Sequence, residues 1–130
     1  MIADTSFIID LMRSDSGAIQ KAQNLTQESI PISVSAVTIF EIFVGISLSI
    51  KQGEEKRKVI KVIEGLPIIS LEMESAEEAG KIYAESRRSG KTMDPEDAMI
   101  AGICKFKKEP VLTRNAKHFS GIDGVEVENY

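Results

Sequence analysis

Short apolar runs alternate with longer amphipathic segments along this chain, and that alternation most restricts what it can fold into: an α/β domain built on a mainly parallel sheet. Met1 to Ala3 reads as a short buried strand ending at Asp4, with Thr5 and Ser6 available to cap a helix through Met12. A second helix is predicted over Ser16 to Gln27. Pro31 to Val34 reads as a strand, and Ser35 starts a helix to about Gln52, with Ile39, Ile42, Phe43 and Ile46 on one face. Glu54 to Ile63 continues as a charged amphipathic helix that Gly65 stops, and Ile68 to Leu71 reads as a strand. Ser75 and Glu78 have capping-box spacing ahead of a helix to about Ser89. Asp94-Pro95 opens the next helix, with Asp94 as N-cap and Pro95 at the first helical position, running to about Lys107. Pro110 to Thr113 and Val125 to Val127 are the last strands, separated by a loop that reaches Asp123-Gly124.

The chain has 130 residues and 42% hydrophobic content, enough for one core, and no repeat or Pro/Gly/Ser linker divides it, so residues 1–130 are expected to form a single domain. A membrane span needs about 20 consecutive apolar residues. The longest candidate, Ile39 to Ile50, is too short and contains Glu41. The opening Met-Ile-Ala-Asp has no basic stretch leading into an apolar one, so a cytoplasmic location is expected. Cys104 lies in an apolar helical pattern without a thiolate-stabilising signature and reads as a small buried hydrophobe. A net charge of −4 argues against binding nucleic acid by bulk electrostatics alone. It does not exclude a nuclease, because a bound cation reverses the effect of a carboxylate cluster on a phosphate.

Three acids stand out. Asp4 follows an apolar strand, where it either caps the next helix or faces a strand-end crevice. Glu41 interrupts Val37-Thr38-Ile39-Phe40-Glu41-Ile42-Phe43-Val44-Gly45, where a buried carboxylate needs a partner or a metal and an exposed one would mark a solvated face. Asp97, in the first turn of a helix, has a capping explanation of its own. As a set, three acids at or near the start of helices that follow strands could converge on one crevice beyond the carboxyl ends of the sheet. Such a cluster suits Mg²⁺ or Mn²⁺, which prefer oxygen ligands and keep waters for exchange.

In order and spacing these fragments resemble the PIN-domain ribonucleases of the VapC type from the first residues to nearly the last. Ile2-Ala3-Asp4-Thr5-Ser6 is similar to the family's opening strand and first catalytic Asp, and Glu41 in Phe40-Glu41-Ile42-Phe43-Val44-Gly45 to its second acidic motif. Asp97-Ala98-Met99-Ile100-Ala101-Gly102 resembles the third motif, Leu112-Thr113-Arg114-Asn115-Ala116-Lys117-His118-Phe119 the fourth segment, and Val125-Glu126-Val127 the closing strand. The resemblance implies a three-layer α/β/α domain and metal-dependent hydrolysis of RNA. Asp4, Glu41 and Asp97 would be metal ligands and, with Asn115, the catalytic set; Thr113 and Ser6 would position water or ligand oxygens. It implies an antitoxin protein as partner and a homodimer, for which Phe40, Phe43, Val44 and Leu48 offer apolar surface. Asn115 stands where many family members have an acid, so a one-metal scheme suits this chain better than a symmetric pair; Asp94 and Glu96 lie close enough to Asp97 to supply the missing carboxylate, although capping and solvation are the favoured readings of both.

Two rivals remain at this level. One is a PIN-fold RNA- or protein-binding module with a weakened site, hinted at by Asn115. The other is an aspartyl-phosphate phosphatase, which needs a second Asp closely following the first, and Asp4-Thr5-Ser6-Phe7 lacks it. His118 is read as a structural or RNA-contacting residue, and Arg87, Arg88, Arg114 and Lys117 as solvated cations that could meet phosphate. No phosphate-binding glycine loop, Ser/His/Asp triad or Cys/His zinc pattern is present.

Overall fold

The computed structural model describes residues 1–130. Five strands, β1 (Ile2–Ala3), β2 (Ser33–Ser35), β3 (Ile68–Ile69), β4 (Val111–Leu112) and β5 (Val127–Glu128), form one sheet in the order β3-β2-β1-β4-β5. All four pairings are parallel. Six helices connect and cover them: α1 (Thr5–Met12), α2 (Ser16–Gln27), α3 (Ala36–Ser47), α4 (Gln52–Ile63), α5 (Met73–Arg88) and α6 (Pro95–Lys107), with a single 3₁₀ turn at Ala116–His118.

The layering follows from the period of two along a strand. Ile2 and Val111, paired in register, point to one face, where they pack with Ile82 of α5 and Ile100, Ile103 and Cys104 of α6. Their neighbours Ala3 and Leu112 point to the other, against Phe7 and Ile8 of α1, Leu25 of α2, Ile42 and Ile46 of α3 and Val59 of α4. Ile2, Ala3, Val111 and Leu112 are all fully buried, which is why two-residue central strands suffice. Burying a side chain such as Ile2 or Leu112 stabilises the fold by about 1.5–3 kcal/mol. The result is the expected α/β/α sandwich. No helix is long and apolar enough to cross a membrane.

The predicted bounds of α2 and the start of α6 at Pro95 are those observed. Three readings need correction. The helix from Ser35 stops at Ser47, and a turn over residues 48–51 separates it from α4. Ser75 does not open a helix: α5 begins at Met73, and the Ser75 hydroxyl accepts from the Glu72 N–H at 2.9 Å from inside the first turn, while Glu78 instead pairs with Lys105 at 3.2 Å. The closing strand is Val127–Glu128 rather than Val125 to Val127, and the expected loop before it contains the 3₁₀ turn, anchored by fully buried Phe119. Asp94 occupies the N-cap of α6 but makes no side-chain capping bond.

Candidate active site

Because β1 and β4 are neighbours, the residues leaving their carboxyl ends emerge side by side. The Asp4 N–H donates to the Leu112 carbonyl at 3.0 Å, which brings Asp4 against Thr113 across 109 residues of sequence. Both side chains are buried. Asp4 Oδ1 accepts from Ser6 Oγ at 2.6 Å and from the Phe7 N–H at 3.2 Å, and Oδ2 accepts from Thr113 Oγ1 at 2.6 Å. The choice posed by the sequence between cap and site residue therefore dissolves: Asp4 caps α1 while its carboxylate sits in the strand-end crevice. Thr113 Oγ1 in turn accepts from the Asn115 N–H at 2.9 Å, and Ser6 Oγ from the Arg114 N–H at 3.1 Å. The two hydroxyls thus fix the carboxylate and the loop that follows β4 together.

Glu41 enters from α3, half-buried, with Thr5 Oγ1 donating to Oε1 at 2.7 Å. Burial raises its carboxyl above the ordinary value of 4.5; the Thr5 hydrogen bond opposes that, and the charges of Asp97, Glu96 and Asp4 raise it further. Asp97, in the first turn of α6, is also raised, from an ordinary 3.8: burial outweighs the charge and hydrogen bond of His118, and Asp94 and Asp4 add to the rise. His118 Nδ1 lies 3.1 Å from Asp97 Oδ2, so the only histidine touches a site carboxylate.

The structure accordingly brings Asp4, Glu41 and Asp97 within electrostatic reach of one another, with Glu96 beside Glu41 and Asp94 beside Asp97. They do not close to ligand spacing: no group of three or more His, Cys, Asp or Glu side chains is drawn tightly enough to grip an ion. The donor set still fits a hard divalent cation. It is made of carboxylate oxygens, and two of its members carry a desolvation and like-charge burden that a cation would relieve.

Asn115 is placed beside this crevice through its backbone, its carbonyl accepting from the His118 N–H at 2.9 Å to form the 3₁₀ turn. Arg114 is not a solvated cation. Its Nη1 donates to both carboxylate oxygens of Asp10, at 2.6 and 2.8 Å, and Tyr130 Oη donates to Asp10 Oδ2 at 2.7 Å. Asp10 is 3% exposed, and Tyr130 also packs edge-on against Phe7. This strut beneath the loop after β4 was missed from sequence, although an acid inside Phe7-Ile8-Ile9-Asp10-Leu11-Met12 was as conspicuous as Glu41. Arg88 pairs with Glu85 at 2.7 Å, and Arg87 lies over the Tyr83 ring. Cys104 is buried and its thiol pushed up to about 12, as expected of an inert core residue.

Fold and site together define a parallel α/β domain with an acidic crevice at the carboxyl ends of its central strands. The profile of the PIN domain matches residues 1–125, and the chain belongs to the PIN domain family. It is 26% identical over 131 residues to the tRNA(fMet)-specific endonuclease VapC of Shigella flexneri, an alignment covering 98% of this chain and 95% of that protein. Among solved structures it is similar to the DNA-bound VapBC of Salmonella typhimurium (TM-score 0.86, 26% identity, 98% of this chain and 96% of that one). VapBC2 of Rickettsia felis bound to a promoter DNA fragment shares the fold at a TM-score of 0.91 with 20% identity, covering 99% of this chain and 97% of that one.

Proposed function

We propose that residues 1–130 form a single-domain, metal-dependent endoribonuclease that works in the cytoplasm as the toxin of a toxin–antitoxin pair. What supports this reading is that Asp4, Glu41 and Asp97, each from a different helix start or interior, lie near enough for their charges to act on one another, with burial raising the carboxyls of Glu41 and Asp97. The names of the Shigella, Salmonella and Rickettsia relatives support the ribonuclease and its pairing with an antitoxin.

Asp4, Glu41 and Asp97 would hold Mg²⁺ or Mn²⁺, which when bound supplies an activated water and neutralises charge developing on the phosphate. Asp4 is held in one rotamer by Ser6, Thr113 and the Phe7 N–H, so it needs no reordering to serve as a ligand. Thr5 orients Glu41, and His118 orients Asp97. Asn115 is an uncharged oxygen donor beside the crevice, which favours one ion over two. An antitoxin segment would inhibit by covering this crevice with a cationic side chain in place of the metal. The exposed Phe40, Val44 and Leu48 on α3 and just beyond it (58%, 45% and 83% exposed) form the face on which a homodimer would close.

The test is cleavage of single-stranded RNA by the purified chain with Mg²⁺ or Mn²⁺, in excess EDTA, and with Asp4→Asn. Cleavage that requires the metal and is abolished by the substitution is expected. Robust cleavage in EDTA overturns the metal mechanism, and no cleavage under any condition favours a binding module with a weakened site.

A further inference from the structure

Beside the acidic crevice, α5, the loop joining it to α6, and the segment from Lys117 to Asp123 enclose a cleft of about 880 Å³. Asp97 and His118 form one end. Lys105 lies eight residues further along α6, about 12 Å down its axis, so the cleft leads away from the site along the flank of that helix. Its volume falls within the roughly 300–1,000 Å³ of cavities that accept a small organic molecule.

The lining combines apolar side chains, hydroxyls, cations and four carboxylates, of which Glu85 pairs with Arg88 and Asp97 with His118 while Asp94 and Asp123 stand at its edge in no ion pair. Ile82, Met93 and Ile122 are buried or half-buried and are its only apolar side chains. Of the cationic residues around them, three are already engaged: Lys81 with Glu77, Arg88 with Glu85 and Lys105 with Glu78. Lys91 and Lys117 are exposed and take part in no ion pair, in a chain whose net charge is −4.

Both lysines stand on backbone that is already fixed. The Lys91 N–H donates to the Ser86 carbonyl at 3.0 Å, and Ser86 Oγ donates back to the Lys91 carbonyl at 3.3 Å. Lys117 sits in the 3₁₀ turn closed by the bond from the His118 N–H to Asn115 and anchored by Phe119. Two cations in no ion pair, held on hydrogen-bonded backbone in a cleft that also holds three apolar side chains, suit single-stranded RNA, which presents phosphates in sequence and a base free to leave its stack.

We infer that this cleft receives the RNA strand on one side of the scissile phosphate, with an unstacked base against Ile82, Met93 and Ile122 and flanking phosphates on Lys91 and Lys117. The inference rests on the ribonuclease reading and extends it: the acids act at the scissile phosphate, whereas the cleft binds nucleotides beyond it. A substrate too small to reach the cleft is therefore indifferent to the lysines.

The experiment compares wild type, Lys91→Glu/Lys117→Glu and Lys91→Arg/Lys117→Arg on a single-stranded RNA oligonucleotide and on bis(p-nitrophenyl) phosphate, both with Mn²⁺. The double Glu variant should raise KM for RNA about tenfold or more and flatten the salt dependence of RNA binding by about 1.4 in log–log slope, from two lost phosphate contacts. Hydrolysis of the small diester should stay within about twofold of wild type, and the Arg variant should behave as wild type on both. An unchanged RNA KM and salt slope in the Glu variant overturns the cleft assignment while leaving the ribonuclease reading intact, and returns the cleft to a protein partner. Parallel loss of the small-diester activity in a variant with an unchanged circular dichroism spectrum also overturns it, by placing the lysines at the reacting centre. A wild type inactive on both substrates overturns the ribonuclease reading and the cleft together.

Discussion

Gly102→Ala tests whether the position of the site depends on how closely α6 approaches α5. A Cβ at residue 102 would lie 2.5 Å from the Ser75 carbonyl oxygen, 2.6 Å from the Ala79 nitrogen and 2.7 Å from Ala79 Cβ. Two of these three neighbours are backbone, so no side chain can turn away, and α5 would have to retreat by about 1 Å to restore van der Waals contact. Overpacking of this kind costs about 1–3 kcal/mol. Replacing a mid-helix glycine by alanine recovers up to about 1 kcal/mol through helix propensity. The net expectation is destabilisation by about 1–2 kcal/mol, a fall in Tm of roughly 3–10 °C for a domain of this size. Gly80→Ala, in α5 with nothing within 4 Å of its Cβ, supplies the opposite sign: it should be neutral or stabilise by up to about 1 kcal/mol. Because Asp97 rides on α6 five residues before Gly102, a shift between the helices should also lower RNA cleavage, by as much as about 100-fold for a 1 Å misplacement. Thermal unfolding of the three proteins and their cleavage rates decide the matter. A Gly102→Ala protein as stable and as active as wild type would refute the close-approach reasoning.

Asp97→Asn separates ligand from cap. Its carboxyl is raised in the folded protein, so the stability linked to its protonation is present below about pH 3.8 and lost as pH rises through the folded value. In EDTA at pH 7 the variant should thus match or exceed wild type in Tm, with the advantage shrinking toward pH 3.8, and excess Mg²⁺ should raise Tm of wild type only. A loss of about 0.3–1 kcal/mol in EDTA with an unchanged metal response would instead return Asp97 to capping. Asp10→Ala removes the common acceptor of Arg114 and Tyr130 and should cost about 1–3 kcal/mol, read by urea unfolding, and slow RNA cleavage by loosening the loop after β4; wild-type stability would show that the strut is not needed. Phe40→Glu should convert a dimer to monomer in sedimentation with its Tm little changed, since the side chain is already mostly exposed; an unchanged sedimentation coefficient would place the dimer face elsewhere.

The amino-acid sequence by itself determined what depends on residues within a turn or two of each other. The bounds of α2, the start of α6 at Asp94-Pro95 and the stop at Gly65, whose φ is +81°, are local matters of capping and backbone freedom. The apolar runs that became β1 and β4 were equally legible, because only buried strands tolerate Ile2-Ala3 and Val111-Leu112 on both faces. Asp4, Glu41 and Asp97 could be singled out because each is an acid where an acid is costly or needs a reason. What held them together could not be read. The clamp of Thr113 on Asp4, the tie from Asp10 to Arg114 and Tyr130, and the approach of Gly102 to Ser75 and Ala79 all join segments far apart in the chain. None has a local signature, since each exists only once β1 is inserted between β2 and β4 and α6 is laid on α5. The closing strand's start was misplaced by two residues and its end by one for the same reason: a marginal edge strand such as Val127–Glu128 takes its register from the β4 backbone it pairs with, not from its own side chains.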